Sequence, residues 1–305
     1  MSSLSPLGMS LPLLVTFVLQ CGGCSAPPEI HRLNVAPADP GHQPDVNKLS
    51  AGSLGVLVPY YSKDGHFYTA GYVAYLAGYR NTSKLENISC YTQTPDKELW
   101  SLNAVPVAAY GIIPGFWSFR HRVVDGLHSL HGGDAKKVDV RRTRLKQKII
   151  DAVQPNSEVP DWQLGFLIHA FGDSYAHVHG DPTKAYSQGI GHLIPSLTGD
   201  SPDAIFINDH YKIYNAYVRS LFDALSQGET TAKADQEGLE LFTKEIAVEA
   251  AKSDDPDKTV IIHIRHGFPT YDFGANDHLC EKLNVKIDED EIQDFLKKLS
   301  SDLDA

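Results

Sequence analysis

The stretch DWQLGFLIHAFGDSYAHVH, residues 161–179, constrains the fold more than any other part of the chain. Trp162, Phe166, His169, Asp173 and His177 follow one another in steps of three or four. That period puts side chains on one face of an α-helix. Phe166 and Ile168 beside His169 mark the face as buried. A carboxylate and two imidazoles on a buried face lose hydration unless they are paired or coordinated. The stretch therefore predicts a core helix carrying polar groups that need partners.

The same period recurs along the chain. GHFYTAGYVAYLAGY repeats Tyr68, Tyr72, Tyr75, Leu76 and Tyr79 at helical spacing. VDVRRTRLKQKIIDAV, INDHYKIYNAYVRSLFDALSQ, AKADQEGLELFTKEIAVEAAKS and DEDEIQDFLKKLSSDLD read as further helices. Strand signals are few. The β-branched run in DKTVIIHIRHG is either a short strand or the start of a buried helix. No internal repeat or domain boundary stands out. The expectation is an all-α protein with a single helical domain over residues 56–305, preceded by an irregular, Pro- and Gly-rich lead-in over 27–55.

Residues 1–26 read as a targeting segment. The apolar run from Leu11 to Leu19 is too short to span a bilayer but suits the core of a signal peptide. Cys21 and Cys24 follow it much as the acylated cysteine does in a lipoprotein signal. The expectation is an exported protein: periplasmic, secreted, or anchored to a membrane surface through lipid. Cys90 and Cys280 are then the thiols left in the mature chain, either joined in a disulfide or separately buried.

The net charge of −11 argues against a broad electrostatic surface for duplex nucleic acid. The basic cluster RRTRLKQK, residues 141–148, is either a solvated helix face or a contact for an anionic membrane or nucleic acid. Fourteen histidines in 305 residues prompt a search for clusters.

Several segments supply His or Asp in addition to the opening one. His66 stands at the start of the tyrosine-rich helix, and Asp96 lies in YTQTPDKELW, beside Gln93 and Pro95, where the next helix ends. His121, Asp125, His128 and His131 fall within FWSFRHRVVDGLHSLHGG, and a seven-residue step places His121 and His128 on one helix face. His192, Asp200 and Asp203 lie in a Gly- and Pro-rich loop. On the core helix, His169 with Asp173, and Asp173 with His177, have the i, i+4 spacing of a helical metal chelate. A satisfied His–Asp pair, or a pH-sensitive histidine surface, are the competing readings.

The order His66, Asp96, then His121 or His128, His169-x3-Asp173, then His192, resembles the zinc-dependent phospholipase C and single-strand nuclease superfamily. FLIHAFGDSYAHVH is similar to that family's FLxHxxGDxxxPxH core helix. The resemblance implies an all-helical exported protein with one to three zinc ions. It implies ligands at His66, Asp96, His121 or His128, His169, Asp173, His177 or His179, and His192, with Asp203 as a late carboxylate. It also implies a metal-activated water acting on a phosphoester, possible lipid headgroups among them, with Asp173 bridging metals or standing near the nucleophile. Tyr68, Tyr72 and Tyr175 either line a cleft or pack the core. The family's amino-terminal Trp has no counterpart before His66, and Ser196 stands where its late acid would be. The alternative function is a non-catalytic, metal-stabilised helical protein serving as a binding or immunity partner.

Overall fold

The computed structural model describes residues 54–58, 66–97, 102–110, 115–181, 183–187, 204–228, 230–252, 260–264, 268, 280–284 and 286–305. The signal-like segment 1–26, most of the lead-in, His192, Asp200 and Asp203 lie outside the described residues. The fold is all-α. Among the described residues, no helix is long and apolar enough to cross a membrane.

Helix α1, His66–Leu76, is buried along its whole length, as expected for a helix apolar all round. Helix α2, Thr82–Lys97, begins at Asn81, whose side-chain oxygen accepts from Lys84 N at 3.1 Å. Gly71 faces Ser89 and His66 faces Asp96, so α1 and α2 run antiparallel. Helix α3, Ala104–Tyr110, is short. Helix α4, Trp117–Arg120, continues without a break into a π-helical turn, His121–Leu127. Helix α5, Ala135–Ala152, is capped by the Asp134 carboxylate on Lys137 N. Helix α6, Asp161–Ala176, is the predicted core helix. Helices α7, His210–Leu225, α8, Gln236–Ala250, and α9, Glu289–Asp304, complete the helical set, with Asp235 and Asp288 capping the last two.

Two short strand pairings accompany the helices. β1, Leu54–Val58, pairs antiparallel with β4, Val260–Ile264, with Leu54 opposite Ile264. The VIIHI run is thus a strand, and its partner begins two residues inside the lead-in. β2, Val178–His179, pairs with β3, Lys184–Ala185, just past the end of α6.

The core joins Leu76, Ile88, Phe166, Phe171, Tyr217 and Phe242. Tyr68, Tyr72 and Tyr175 belong to it, so they pack rather than line a cleft. Helix α6 crosses α2 at Gly165, where an added Cβ would lie 2.3 Å from Tyr91 Cβ and 2.8 Å from Thr92 N. Only a glycine lets the two backbones come this close. A disulfide joins Cys90 of α2 to Cys280, which lies 190 residues later and buried.

The charges of the basic run 141–148 find partners within the chain, from buried Arg141 to Lys146 at the surface. Arg141 is buried against Asp125. Arg142 donates to Ser174 O at 3.0 Å and lies over the Tyr175 ring. Arg144 donates to Leu303 O at 2.9 Å, and Lys148 pairs with Asp302, so α5 holds the end of α9. Lys146 pairs with Asp223.

Candidate metal centre

His66 opens α1, Asp96 ends α2, His128 follows the π-helical turn, and His169 and Asp173 sit one turn apart on α6. Their side chains converge. His66 Nε2 lies 3.0 Å from Asp173 Oδ1. His128 Nδ1 and His169 Nε2 lie 3.0 and 3.2 Å from Asp173 Oδ2, and 3.2 Å from each other. Asp96 stands 3.8–3.9 Å from all three imidazoles. His66, His128, His169 and Asp173 are buried, whereas the Asp96 side chain is 26% exposed and marks the side of the cluster nearest solvent.

Two backbone carbonyls fix how the imidazoles are protonated. His128 Nε2 donates to Leu102 O at 2.8 Å, and His169 Nδ1 donates to Thr92 O at 2.9 Å. A carbonyl only accepts, so each ring carries its proton on the outer nitrogen. In the neutral rings, the inner nitrogens, His128 Nδ1 and His169 Nε2, present lone pairs toward each other and toward the Asp173 carboxylate. Lone pairs and carboxylates converging in a buried site repel one another unless a cation lies between them. Metal-ligating histidines have this same outer hydrogen bond. The five groups form two overlapping ligand sets, His66–His169–Asp173 and Asp96–His128–His169, suited to a metal ion.

The electrostatics agree. Burial pushes His169 down from its ordinary value, which favours the neutral ring. Burial alone would raise the Asp173 carboxyl, but the imidazoles around it, His177 and His169 foremost, hold it well below its usual range, so it stands ionised among them.

The local sequence explains the placement. In the π-helical turn His128 N bonds to Val123 O, five residues back, at 3.0 Å. Each residue there turns less about the axis than in an α-helix, so seven residues no longer complete two turns. His121 and His128 therefore do not share a face: His121 is 38% exposed and His128 is 2% exposed. Arg141 holds the turn through both the carbonyl and the carboxylate of Asp125. Ser129, next to His128, takes a positive φ of 56° and donates to Ala170 O at 3.0 Å. Gly172 leaves room for His66: an added Cβ would meet His66 Cε1 at 3.2 Å.

The other sequence candidates are placed elsewhere. Helix α6 ends at Ala176, so the i, i+4, i+8 row stops short of His177. His177 Nδ1 instead donates to His128 O at 2.6 Å, and lies 3.7 Å from Asp173 Oδ2. It steadies His128 through the backbone. His179 is exposed, and its ring stacks on Tyr186 at 4.6 Å. His121 belongs to a separate group with Asp125 and Asp304. Its Nδ1 faces Asp125 at 3.6 Å and its Nε2 faces Asp304 at 3.1 Å. The ring thus bridges two carboxylates rather than offering one lone pair to a shared ion, and Asp125 is already paired with Arg141.

Sequence reasoning missed Thr92 and Leu102, whose carbonyls leave no trace in residue type. It also missed Gly165, although a glycine inside an apolar helix signals a close backbone approach. Compared with protein-family models, with curated proteins and with solved structures, the chain matches none.

Proposed function

We propose that the chain is an exported zinc-dependent phosphoester hydrolase of phospholipase C-like type. The observation that carries the reading is the lone-pair convergence of His128 Nδ1 and His169 Nε2 on Asp173, with His66 and Asp96 completing the set. Nitrogen and carboxylate ligands in this proportion suit zinc. The order of these residues along the chain, and the His169-x3-Asp173 step with Gly172, resemble the zinc-dependent phospholipase C and nuclease superfamily. That resemblance supports a phosphoester substrate. The Cys90–Cys280 disulfide supports an oxidising compartment outside the cytosol.

Bound by His66, Asp96, His128, His169 and Asp173, zinc would supply a lowered pKa for water and polarisation of a phosphoryl oxygen. The chain supplies the rest. Asp173 splits its oxygens, Oδ1 toward His66 and Oδ2 toward His128 and His169, and so ties both halves of the ligand set together. The carbonyls of Thr92 and Leu102 hold the two rings in the ligating tautomer. Asp96, on the solvent side, is the group that a substrate approaching the cluster meets first.

A second reading, a closed structural metal site in a non-catalytic binding protein, is favoured by the near-complete burial of the other four groups. Hydrolysis of bis(p-nitrophenyl) phosphate and of phosphatidylcholine separates the two. Activity lost on chelation, restored by zinc and absent in Asp96→Asn supports the hydrolase. Zinc-loaded protein inert toward both substrates refutes it and leaves the structural site.

A further inference from the structure

We infer, on the reading of the Asp173 cluster as a zinc site, that His121 and Asp304 are positioning residues of that site. They act through the π-helical turn that brings His128 onto Asp173. Neither side chain reaches the cluster itself: His121 and Asp304 face each other, and both are partly exposed.

The turn His121–Leu127 depends on support from outside itself. A π-helix is uncommon and occurs mostly as single turns at functional sites. Ordinary α-helical bonding through the same residues would carry His128 back to the face of His121, which is 38% exposed. The His128 ring would then leave the buried side of the turn, and the cluster would lose a ligand. Whatever keeps these residues out of α-helical register therefore keeps the site complete.

Three elements close around the turn. From α5, Arg141 donates to the Asp125 carbonyl and, at 2.6 Å, to Asp125 Oδ1. The other carboxylate oxygen, Oδ2, faces His121 Nδ1 at 3.6 Å, and His121 Nε2 faces Asp304 Oδ2 at 3.1 Å. Asp304 ends α9, which lies directly on the turn: a Cβ added at Gly126 would sit 3.6 Å from Ser300 Cβ. The end of α9 is tied back to α5, by Arg144 on Leu303 O at 2.9 Å and by Lys148 on Asp302. Arg141 and Arg144 stand one turn apart on α5, so the contacts form a closed ring through Asp125, His121 and Asp304.

An isolated ion pair at the exposure of His121 and Asp304 contributes little, whereas a closed network holds one geometry. The buried Arg141 fixes one oxygen of the Asp125 carboxylate. His121, anchored by Asp304, meets the other, so the carboxylate is gripped from both sides and the turn with it.

The test compares the full chain with His121→Gln, Asp304→Ala and the double variant, with exposed Lys297→Ala as a control on α9 outside the ring. Competitive zinc titration and the visible spectrum of the cobalt(II)-loaded chain report on the site, and denaturant midpoints of the zinc-free chains report on folding. Each single variant is expected to weaken zinc binding roughly three- to tenfold, less than loss of a bond made directly to a ligand, and to alter the cobalt spectrum. The double variant is expected to lose no more than the weaker single one, because both changes act on the same carboxylate. Lys297→Ala is expected to change neither readout. A merely structural contact would lower the midpoints while zinc affinity and the cobalt spectrum stay as they were. That result overturns the proposal, as do losses that add in the double variant. Absence of zinc binding in the unaltered chain is a different failure: it refutes the zinc site first, and this proposal with it.

Discussion

His169 Nδ1 donates to the carbonyl of Thr92 at 2.9 Å, and this bond aims the other ring nitrogen at Asp173. It depends on the closeness of α6 to α2 at Gly165, one turn before His169. Gly165→Ala must push the helices apart, since the nearest atoms are backbone and Cβ. The expected cost is about 1–3 kcal/mol of stability. Loss of the orienting carbonyl should lower zinc affinity roughly 10–100-fold. Chemical denaturation and competitive zinc titration measure the two effects separately.

Asp173→Asn keeps the side-chain shape but removes the charge that His66, His128 and His169 surround. Zinc retention through purification should fall below that of the unaltered chain, while His179→Ala, at an exposed ring, should leave it unchanged. Elemental analysis of both variants checks the contrast.

The Cys90–Cys280 bond closes a loop across 190 residues. Replacing both cysteines by serine should cost about 5 kcal/mol, chiefly by freeing the unfolded chain. Urea unfolding with and without reductant measures it: the unaltered chain should lose stability on reduction and the double variant should not respond.

His131 is pushed down from its ordinary value of 6.5 to about 4, by burial first and by the Arg141 guanidinium second, with Asp125 partly opposing. Between those pH values the unfolded chain binds a proton that the native chain does not. Its contribution is therefore complete above pH 6.5 and lost as pH falls toward 4. His131→Gln should flatten this part of the pH–stability curve of the zinc-free protein, as read by denaturant midpoints from pH 7 to pH 4.

Much of the architecture was legible because helical periodicity is a local signal. The spacing of Trp162, Phe166, His169 and Asp173 located α6, its buried face and the polar pair on it. The i, i+4 step of His169 and Asp173 survives as a 3.2 Å contact. His177 falls off the helical row because the helix stops at Ala176 to enter β2, and that stop rests on pairing with residues 184–185. The choice between His121 and His128 was open for a related reason: a π-helical turn depends on Arg141, from another helix, holding Asp125, and nothing in HRVVDGL announces it. The β1–β4 pairing joins segments two hundred residues apart, and its register is set by that meeting. The tautomers of His128 and His169 follow from carbonyls of Leu102 and Thr92, which only the folded chain brings near.

The most direct measurement is the zinc content of the purified chain after zinc is added back and excess removed, with His169→Ala beside it. The account predicts one or more zinc ions per chain in the unaltered protein and a loss of zinc in the variant. No bound zinc in the folded, unaltered protein, or equal zinc in both, would contradict it.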